Sequence, residues 1–131
     1  MSRIDWVKEL GWTEDQLEEL RYAGYAYIRQ GKYDIALSFF KALIVLDPES
    51  AYDAQTLGAL YLQLNQPAKA AKALDRALKL ETDHAPTLLN FTKALFMLGK
   101  QAEGLKLAHM LKSEPDVRIA NAAWALILAY E

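Results

Sequence analysis

The feature that most constrains the fold of this 131-residue chain is a pattern that recurs with a fixed period. Turn-forming residues stand at Gly31, Asn65 and Gly99, each 34 residues from the next. Three further columns keep the same step: Gly24, Gly58 and Thr92; Tyr27, Tyr61 and Leu95; and Ala36, Ala70 and Gly104. A repeat of this length holds one pair of helices, which buries its apolar face only by stacking on its neighbours. The period therefore predicts an all-α solenoid of three helix-turn-helix repeats.

Local signals divide the chain into helices. Thr13 followed by Gln16 fits a capping box, which begins a helix. Gly31 ends that helix because glycine adopts the left-handed conformation at low cost, and Pro48 ends the next one. We expect one domain over residues 1–131, with a short N-terminal helix at about 3–11, repeats at about 14–48, 51–82 and 85–115, and an extra C-terminal helix at about 116–130.

Composition excludes several classes of protein. Hydrophobic residues make up 53% of the chain, which excludes wholesale disorder. The 15 basic and 17 acidic residues give a net charge of −2, without the basic excess that attracts nucleic acid or anionic membranes. The absence of cysteine excludes disulfides and favours the reducing cytosol, and the longest apolar run, residues 122–130, is too short to span a bilayer. We expect a soluble intracellular protein with no nucleic-acid partner and no membrane insertion.

Residues that could carry catalysis or hold a metal do not form a recognisable pattern. His84 and His109 are the only histidines, and neither begins a metal-binding spacing such as H-x3-H. Gly99 and Lys100 lack the preceding glycine and the following hydroxyl of a phosphate-binding loop. We therefore expect no catalytic residues, no metal and no cofactor, and a protein that is not an enzyme.

The repeats resemble the tetratricopeptide consensus, whose first helix reads W-x2-L-G-x2-Y and whose second reads A-x3-F before a closing proline. The matching residues are Leu20, Ala23, Gly24, Tyr27, Ala36, Phe40 and Pro48 in the first repeat, and Ala54, Leu57, Gly58, Tyr61, Ala70 and Leu74 in the second. In the first repeat we expect the two helices to approach most closely where Gly24 faces Ala36. The third repeat has Gly104 where alanine is usual, so we expect its second helix to be looser.

A narrower resemblance comes from the whole arrangement, a short N-terminal helix, three repeats and one extra helix, with GKYDIALSFFKALIVLD in the first repeat. It is similar to the small tetratricopeptide chaperones of bacterial type III secretion systems. The resemblance implies a bacterial cytoplasmic protein that holds a secreted substrate, a translocator or another early export component, by an extended P-x-L-x-x-P-like segment. It also implies a possible homodimer formed through N-terminal helices.

Another branch of tetratricopeptide proteins grips the C-terminal carboxylate of heat-shock chaperones with lysine, asparagine and arginine at fixed inner positions. Four of the corresponding places here hold Tyr25, Thr56, Pro86 and Asn90, and Arg21 alone keeps a suitable charge. We therefore expect no carboxylate clamp.

The inner face of the solenoid is the candidate binding surface, because the first helix of each repeat lines it. Aromatic residues and methionine there offer adaptable contact area for an extended apolar segment, and a few basic residues would orient the bound backbone. The predicted groove residues are Arg21, Tyr25, Ile28 and Arg29; Tyr52, Gln55 and Leu62; and Leu89, Lys93, Phe96 and Met97. The alternative is that some of them pack against the N-terminal or the last helix instead.

Both ends of the chain are apolar. The last helix carries Val117, Trp124 and Ile127 on one side and Ile119, Leu126 and Tyr130 on another, whereas a terminal repeat normally has a polar outer face. A dimer or partner surface is thus predicted at Trp6, Trp12, Trp124, Ile127 and Tyr130. Two alternatives stay open: the last helix is a cap on the third repeat, or the chain is a scaffold that joins a larger assembly through its end helices.

Overall fold

The computed structural model describes residues 4–131, and the helices in that part of the chain pack in consecutive order. α2 packs on α3, α4 on α5 and α6 on α7, while α1 contacts α3 and α8 covers α6 and α7. This confirms the predicted all-α solenoid of helix pairs with a helix at each end. The bounds are α1 Trp6–Leu10, α2 Glu14–Arg29, α3 Tyr33–Leu46, α4 Ala51–Gln63, α5 Pro67–Leu80, α6 Ala85–Met97, α7 Gln101–Leu111 and α8 Val117–Tyr130.

The first helices begin where their capping residues predict. Asp5 caps α1 by accepting from the Lys8 amide, so this helix begins at Trp6; its expected start at residue 3 lies outside the described residues. Thr13 and Gln16 form both hydrogen bonds of the predicted capping box, at 2.7 and 3.3 Å, and fix the start of α2. Of the helices within residues 4–131, none is long and apolar enough to cross a bilayer.

The 34-residue column of turn residues is the place where each pair of helices reverses direction. Gly31, Asn65 and Gly99 all have positive φ, at 73°, 58° and 79°. At each turn the amide of the following residue donates to a carbonyl five residues earlier, as Lys32 does to Tyr27 at 2.9 Å. This is the Schellman closure, which satisfies the last carbonyls of a helix and needs a residue that tolerates the left-handed region. The period seen in the sequence is therefore the period of these closures.

Each pair of helices packs closely where one helix has a glycine and the other a bulky side chain. A Cβ added to Gly24 would lie 2.7 Å from the Phe40 ring, and one added to Gly58 would lie 2.4 Å from Leu74. At Gly24 the atoms nearest to the added Cβ belong to the side chains of Phe40 and Phe39, so the glycine gives room to phenylalanine rings; the expected close approach to Ala36, which is fully buried, stays a prediction.

The third pair keeps this complementarity with the two roles exchanged. Its glycine, Gly104, lies on the second helix, and the bulky side chain, Phe96, comes from the first helix and would be 2.9 Å from an added Cβ. Gly104 is buried in a continuous α7. The Phe96 ring fills the space that a methyl group would take at Gly104, and the looser second helix stays a prediction.

Buried apolar side chains form three clusters along the solenoid. One lies between the first two repeats around Leu17, Phe40 and Leu43, and another joins α5 to α6. The third consists of Leu89, Leu111, Ile119 and Ala123 and lies beneath α8. These clusters fix the order of the helices, so that the inner faces of α2, α4 and α6 follow one another.

Candidate functional site

A buried ion-pair cluster ties α2 to α4 at the start of the inner face. The Arg21 guanidinium donates to Asp53 through Nε at 2.9 Å and Nη2 at 2.7 Å, to Asp47 at 2.6 Å and to Glu18 at 2.5 Å. The Asp53 side chain is fully buried and that of Arg21 is 12% exposed. The hydrogen bond to Asp53, followed by that to Asp47, raises the pKa of Arg21 above its ordinary value although burial opposes this. Arg21 therefore stays charged and engaged by carboxylates.

Three tyrosines form an open cleft beside this cluster. Tyr25 and Tyr52 face each other with ring centres 5.9 Å apart, and the rings of Tyr25 and Phe40 meet edge to face with centres 6.5 Å apart. Tyr22, which the sequence prediction missed, is exposed at the mouth. We call this space of about 610 Å³ the aromatic cleft; it is lined by Glu18, Arg21, Tyr22, Tyr25, Asp47, Glu49, Ser50 and Tyr52. Its apolar walls and polar rim suit contact with a partner chain.

A second opening lies further along the inner face, between α4 and α6. This α4–α6 cleft has a volume of about 300 Å³ and is lined by Ala59, Leu62, Gln63, Asn90, Lys93 and Met97. It contains three of the predicted groove residues, Leu62, Lys93 and Met97. The structure thus brings six of the eleven predicted residues together, three in each of two separate clefts between neighbouring first helices.

Three other predicted groove residues lie near these clefts without lining them. Ile28 is half-buried against the first core cluster, and Arg29 is exposed in the last turn of α2. Gln55 donates through Nε2 to Glu81 at 3.1 Å. Their positions place them at the margins of the inner face.

Two of the predicted groove residues belong to the packing beneath α8. Leu89 is in the buried cluster with Ile119 and Ala123. Phe96 is 6% exposed, and its ring stacks on Tyr130 with centres 4.2 Å apart and planes 10° apart. This corrects the expectation that Leu89 and Phe96 face an open groove. For both residues the structure agrees with the alternative, that they pack against the last helix.

The apolar surface of α8 is divided differently from the sequence expectation. Ile119, Ala123 and Ile127 make the buried stripe, since residues four apart lie on one side of a helix. Ile127 is only 2% exposed, which corrects its placement in a partner surface. The exposed stripe consists of Val117, Trp124 and Leu128, with Leu128 79% exposed.

The remaining residues of the predicted dimer or partner surface differ in how exposed their side chains are. Trp6 on α1 is exposed, whereas Trp12 is half-buried against the first core cluster. Trp124 is exposed with the ammonium of Lys112 5.0 Å from its ring centre. Tyr130 is partly exposed, although one face of its ring is covered by Phe96.

The titratable side chains of the described chain do not gather into a metal-binding group. Across residues 4–131, no three His, Cys, Asp or Glu side chains come close enough together to hold an ion. His84 lies with Nδ1 2.7 Å from the Thr87 hydroxyl at the start of α6, and His109 lies 3.0 Å from Glu131. Each histidine therefore has a polar partner, His84 within its own helix start and His109 at the end of α8.

The tetratricopeptide repeat family matches residues 23–95 of the chain. A curated human relative, protein O-mannosyl-transferase TMTC2, is 33% identical over 89 residues, which cover 64% of this chain and 10% of that protein. The chain thus spans about a tenth of the length of this relative.

Several solved structures share the fold over most of their length. PcrH of Pseudomonas aeruginosa, in complex with the chaperone binding region of PopD, has a TM-score of 0.79 at 24% identity, covering 92% of this chain and 94% of that one. The Yersinia enterocolitica type III secretion chaperone SycD, bound to a peptide of the translocator YopD, has a TM-score of 0.76 at 22% identity, covering 91% and 98%. The first tetratricopeptide repeat domain of Spaghetti (RPAP3), bound to an HSP90 peptide, has a TM-score of 0.77 at 24% identity. The match covers 89% of this chain and 94% of that one. At these identities the likeness shows the fold.

Proposed function

The chain belongs to the tetratricopeptide repeat family, and from that premise we propose that it is a non-enzymatic chaperone of a type III secretion system. In this proposal its inner face sequesters an extended apolar segment of an export substrate and prevents premature association. The substrate is a translocator or another early export component, and the place of action is the bacterial cytoplasm.

The observation that carries this proposal is the facing pair of tyrosines in the aromatic cleft. Tyr25 and Tyr52 are held by packing on α2 and α4, yet both rings stay exposed to a partner. Rigid aromatic rings provide large contact area at low cost in conformational entropy. PcrH and SycD, which share this fold, were solved with segments of PopD and YopD bound, and that supports a bound peptide here.

The contacts assigned to the inner face follow from what is accessible there. Tyr22, Tyr25 and Tyr52 provide the first contact area, and Leu62 with Met97 provides the second. Lys93 remains the cation that orients the bound backbone, with Arg29 at the margin. Arg21, whose three guanidinium nitrogens all donate to carboxylates, instead holds the aromatic cleft in shape.

The test is binding of labelled peptides that tile the export substrates encoded beside the gene, measured by fluorescence anisotropy. Changing Tyr25→Ala together with Tyr52→Ala is expected to weaken the best peptide by at least about tenfold while helicity is unchanged, because both anchors of the cleft are lost. Met110→Ala, an exposed apolar residue on α7, is the matched control. Equal affinity for the double variant and the control would exclude the aromatic cleft as the binding surface.

A second candidate function is a scaffold that assembles a complex through its end helices. The exposed stripe of Val117, Trp124 and Leu128 on α8 favours it, since such a stripe is typical of a surface that another protein covers. Deletion of residues 1–11 is expected to disrupt an assembly of this kind but to spare peptide binding in the clefts. Loss of peptide binding on that deletion, with helicity retained, would contradict the separation of the two surfaces.

A further inference from the structure

A groove lined by basic residues lies between the second helices α3 and α5, and it shares no lining residue with the two inner-face clefts. Its volume is about 700 Å³, larger than either of them. We call it the basic groove and define it by its five cations, Lys41, Lys69, Lys72, Arg76 and Lys79. The proposed function in secretion gives this surface no role.

A third of the basic residues of the chain lie in this one groove. The whole chain has 15 basic residues and a net charge of −2, so five cations in one groove form a local positive region on an acidic protein. Asp75 lines the same groove and pairs with Lys79 at 3.0 Å. Within residues 4–131, the ammonium groups of Lys41, Lys69 and Lys72 form no ion pair, and so they are available to a partner.

Four of these cations form a line along one helix. Residues 69, 72, 76 and 79 of α5 are three or four apart, which places them on one side of the helix over about 15 Å. The Arg76 guanidinium is fixed by donation to the carbonyls of Ile44 and Pro48, at 3.4 and 3.1 Å. The three lysines are exposed, whereas Arg76 is half-buried. On a partner helix, acidic residues three or four apart would have the same spacing as these lysines.

The floor of the groove is apolar. It is made by Ile44 of α3, Leu57 and Tyr61 of α4, and Ala73 of α5. A groove between two helices with an apolar floor accepts the apolar face of a third helix, while cations at its edge pair with acidic residues beside that face. Nucleic acid would leave the floor unused, and a flat membrane surface would not enter a groove.

From the line of lysines and the apolar floor, we infer that the basic groove is a docking site for an acidic amphipathic helix of a partner protein. The partner helix places leucine-like side chains on Ile44 and Tyr61. Its aspartate or glutamate residues, spaced three or four apart, pair with Lys69, Lys72 and Lys41. Since the inner-face clefts lie elsewhere, this partner and an extended segment can be bound at the same time.

The test uses two fluorescein-labelled 16-residue peptide helices that carry leucines at i, i+3, i+4 and i+7, with glutamates on one or the other flank. Each has a control in which every glutamate is glutamine. Anisotropy in low salt is expected to show at least one glutamate peptide binding about tenfold more tightly than its control, and the preference should shrink as salt is raised. Backbone amide shifts on binding should map to α3 and α5.

Variants separate this site from general electrostatic attraction and from the proposed function. Lys69→Glu with Lys72→Glu is expected to weaken binding about tenfold, whereas Lys32→Glu with Lys106→Glu, an equal change of charge at exposed positions elsewhere, should change it less than about twofold. Tyr25→Ala with Tyr52→Ala should leave binding of the acidic helix intact. Failure of the proposed function at the aromatic cleft can therefore be distinguished from failure of the inference about the basic groove.

Two results with the peptides would overturn the inference: glutamine peptides that bind as tightly as the glutamate peptides, or no saturable binding of any glutamate peptide up to about 1 mM. Two further results would also overturn it: an equal loss of affinity in both pairs of lysine variants, or amide shifts confined to the inner face. Phosphatidylserine vesicles and a 20-base-pair DNA duplex are tested in parallel. Binding to either of these without binding to the glutamate peptides would assign the groove to a membrane or to nucleic acid instead.

Discussion

At the scale of single residues, burial makes Arg21 a structural residue and not a contact for a bound segment. From the sequence alone, a basic residue on the inner face of α2 is expected to contact the bound segment. Its carboxylate partner Asp53 lies 32 residues away in the chain and is fully buried, so no local pattern could have paired them. The guanidinium and the carboxylate compensate each other, and removal of either one would leave a buried charge.

Substitution of Arg21 by alanine is therefore expected to lower the free energy of unfolding by about 3–5 kcal/mol, because Asp53 would stay buried without its counter-ion. Urea unfolding followed by circular dichroism measures this. The control is Lys79→Ala, which breaks the exposed pair with Asp75 and should cost less than about 0.5 kcal/mol. Equal costs for the two variants would show that the Arg21 cluster behaves as a surface pair.

At the scale of helices, the contacts between paired helices depend on matched shapes. Gly58 on α4 gives room to Leu74 on α5, whose side chain is fully buried and cannot move aside. Alanine at a helical glycine normally gains about 1 kcal/mol of helix propensity. Here the added methyl group would meet Leu74 at 2.4 Å, and overpacking of that kind costs more than the gain.

Gly58→Ala is accordingly expected to destabilise the protein by about 1–2 kcal/mol, measured by the same unfolding experiment. Combining it with Leu74→Val, which removes one methylene from the crowded side chain, should give a cost smaller than the sum of the two single changes. A variant Gly58→Ala that is more stable than the natural protein would contradict the close approach of α4 and α5.

The helices themselves could be predicted from the sequence because their signals are local. A capping box at Thr13 and left-handed turns at Gly31, Asn65 and Gly99 act within a few residues. Which side of each helix would be covered could not be predicted in this way. Phe96 depends on where α8 lies and on the absence of a side chain at Gly104, and both are properties of the tertiary fold.

At the scale of the whole molecule, the chain presents surfaces of different chemistry. The inner face is aromatic, the basic groove is positive and the exposed side of α8 is apolar. On α8, Leu128 projects away from the core, in contrast to its neighbour Ile127. Burial of such a leucine in an interface is worth about 1.5–3 kcal/mol, and in a symmetric dimer Leu128, Val117 and Trp124 of both copies contribute together.

We therefore expect the natural protein to associate with itself through α8 and Leu128→Glu to raise the dissociation constant of that association by more than about tenfold. Sedimentation velocity over a range of concentrations measures this. Lys106→Glu places a new carboxylate on exposed α7 and should leave the association unchanged. A natural protein that stays monomeric at about 100 µM would exclude α8 as a self-association surface.

The exchange of roles in the third pair, where Gly104 receives Phe96, has a consequence for how such a chain can be recombined. The helices of the third repeat are therefore not interchangeable with those of the first two, which share one arrangement. A chimera that joins α6 to α3 would set Phe96 against Ala36 and Phe40 against Thr92, two collisions in one interface. Whole pairs keep their own complementarity, so the pair, and not the helix, is the smallest module that can be moved intact.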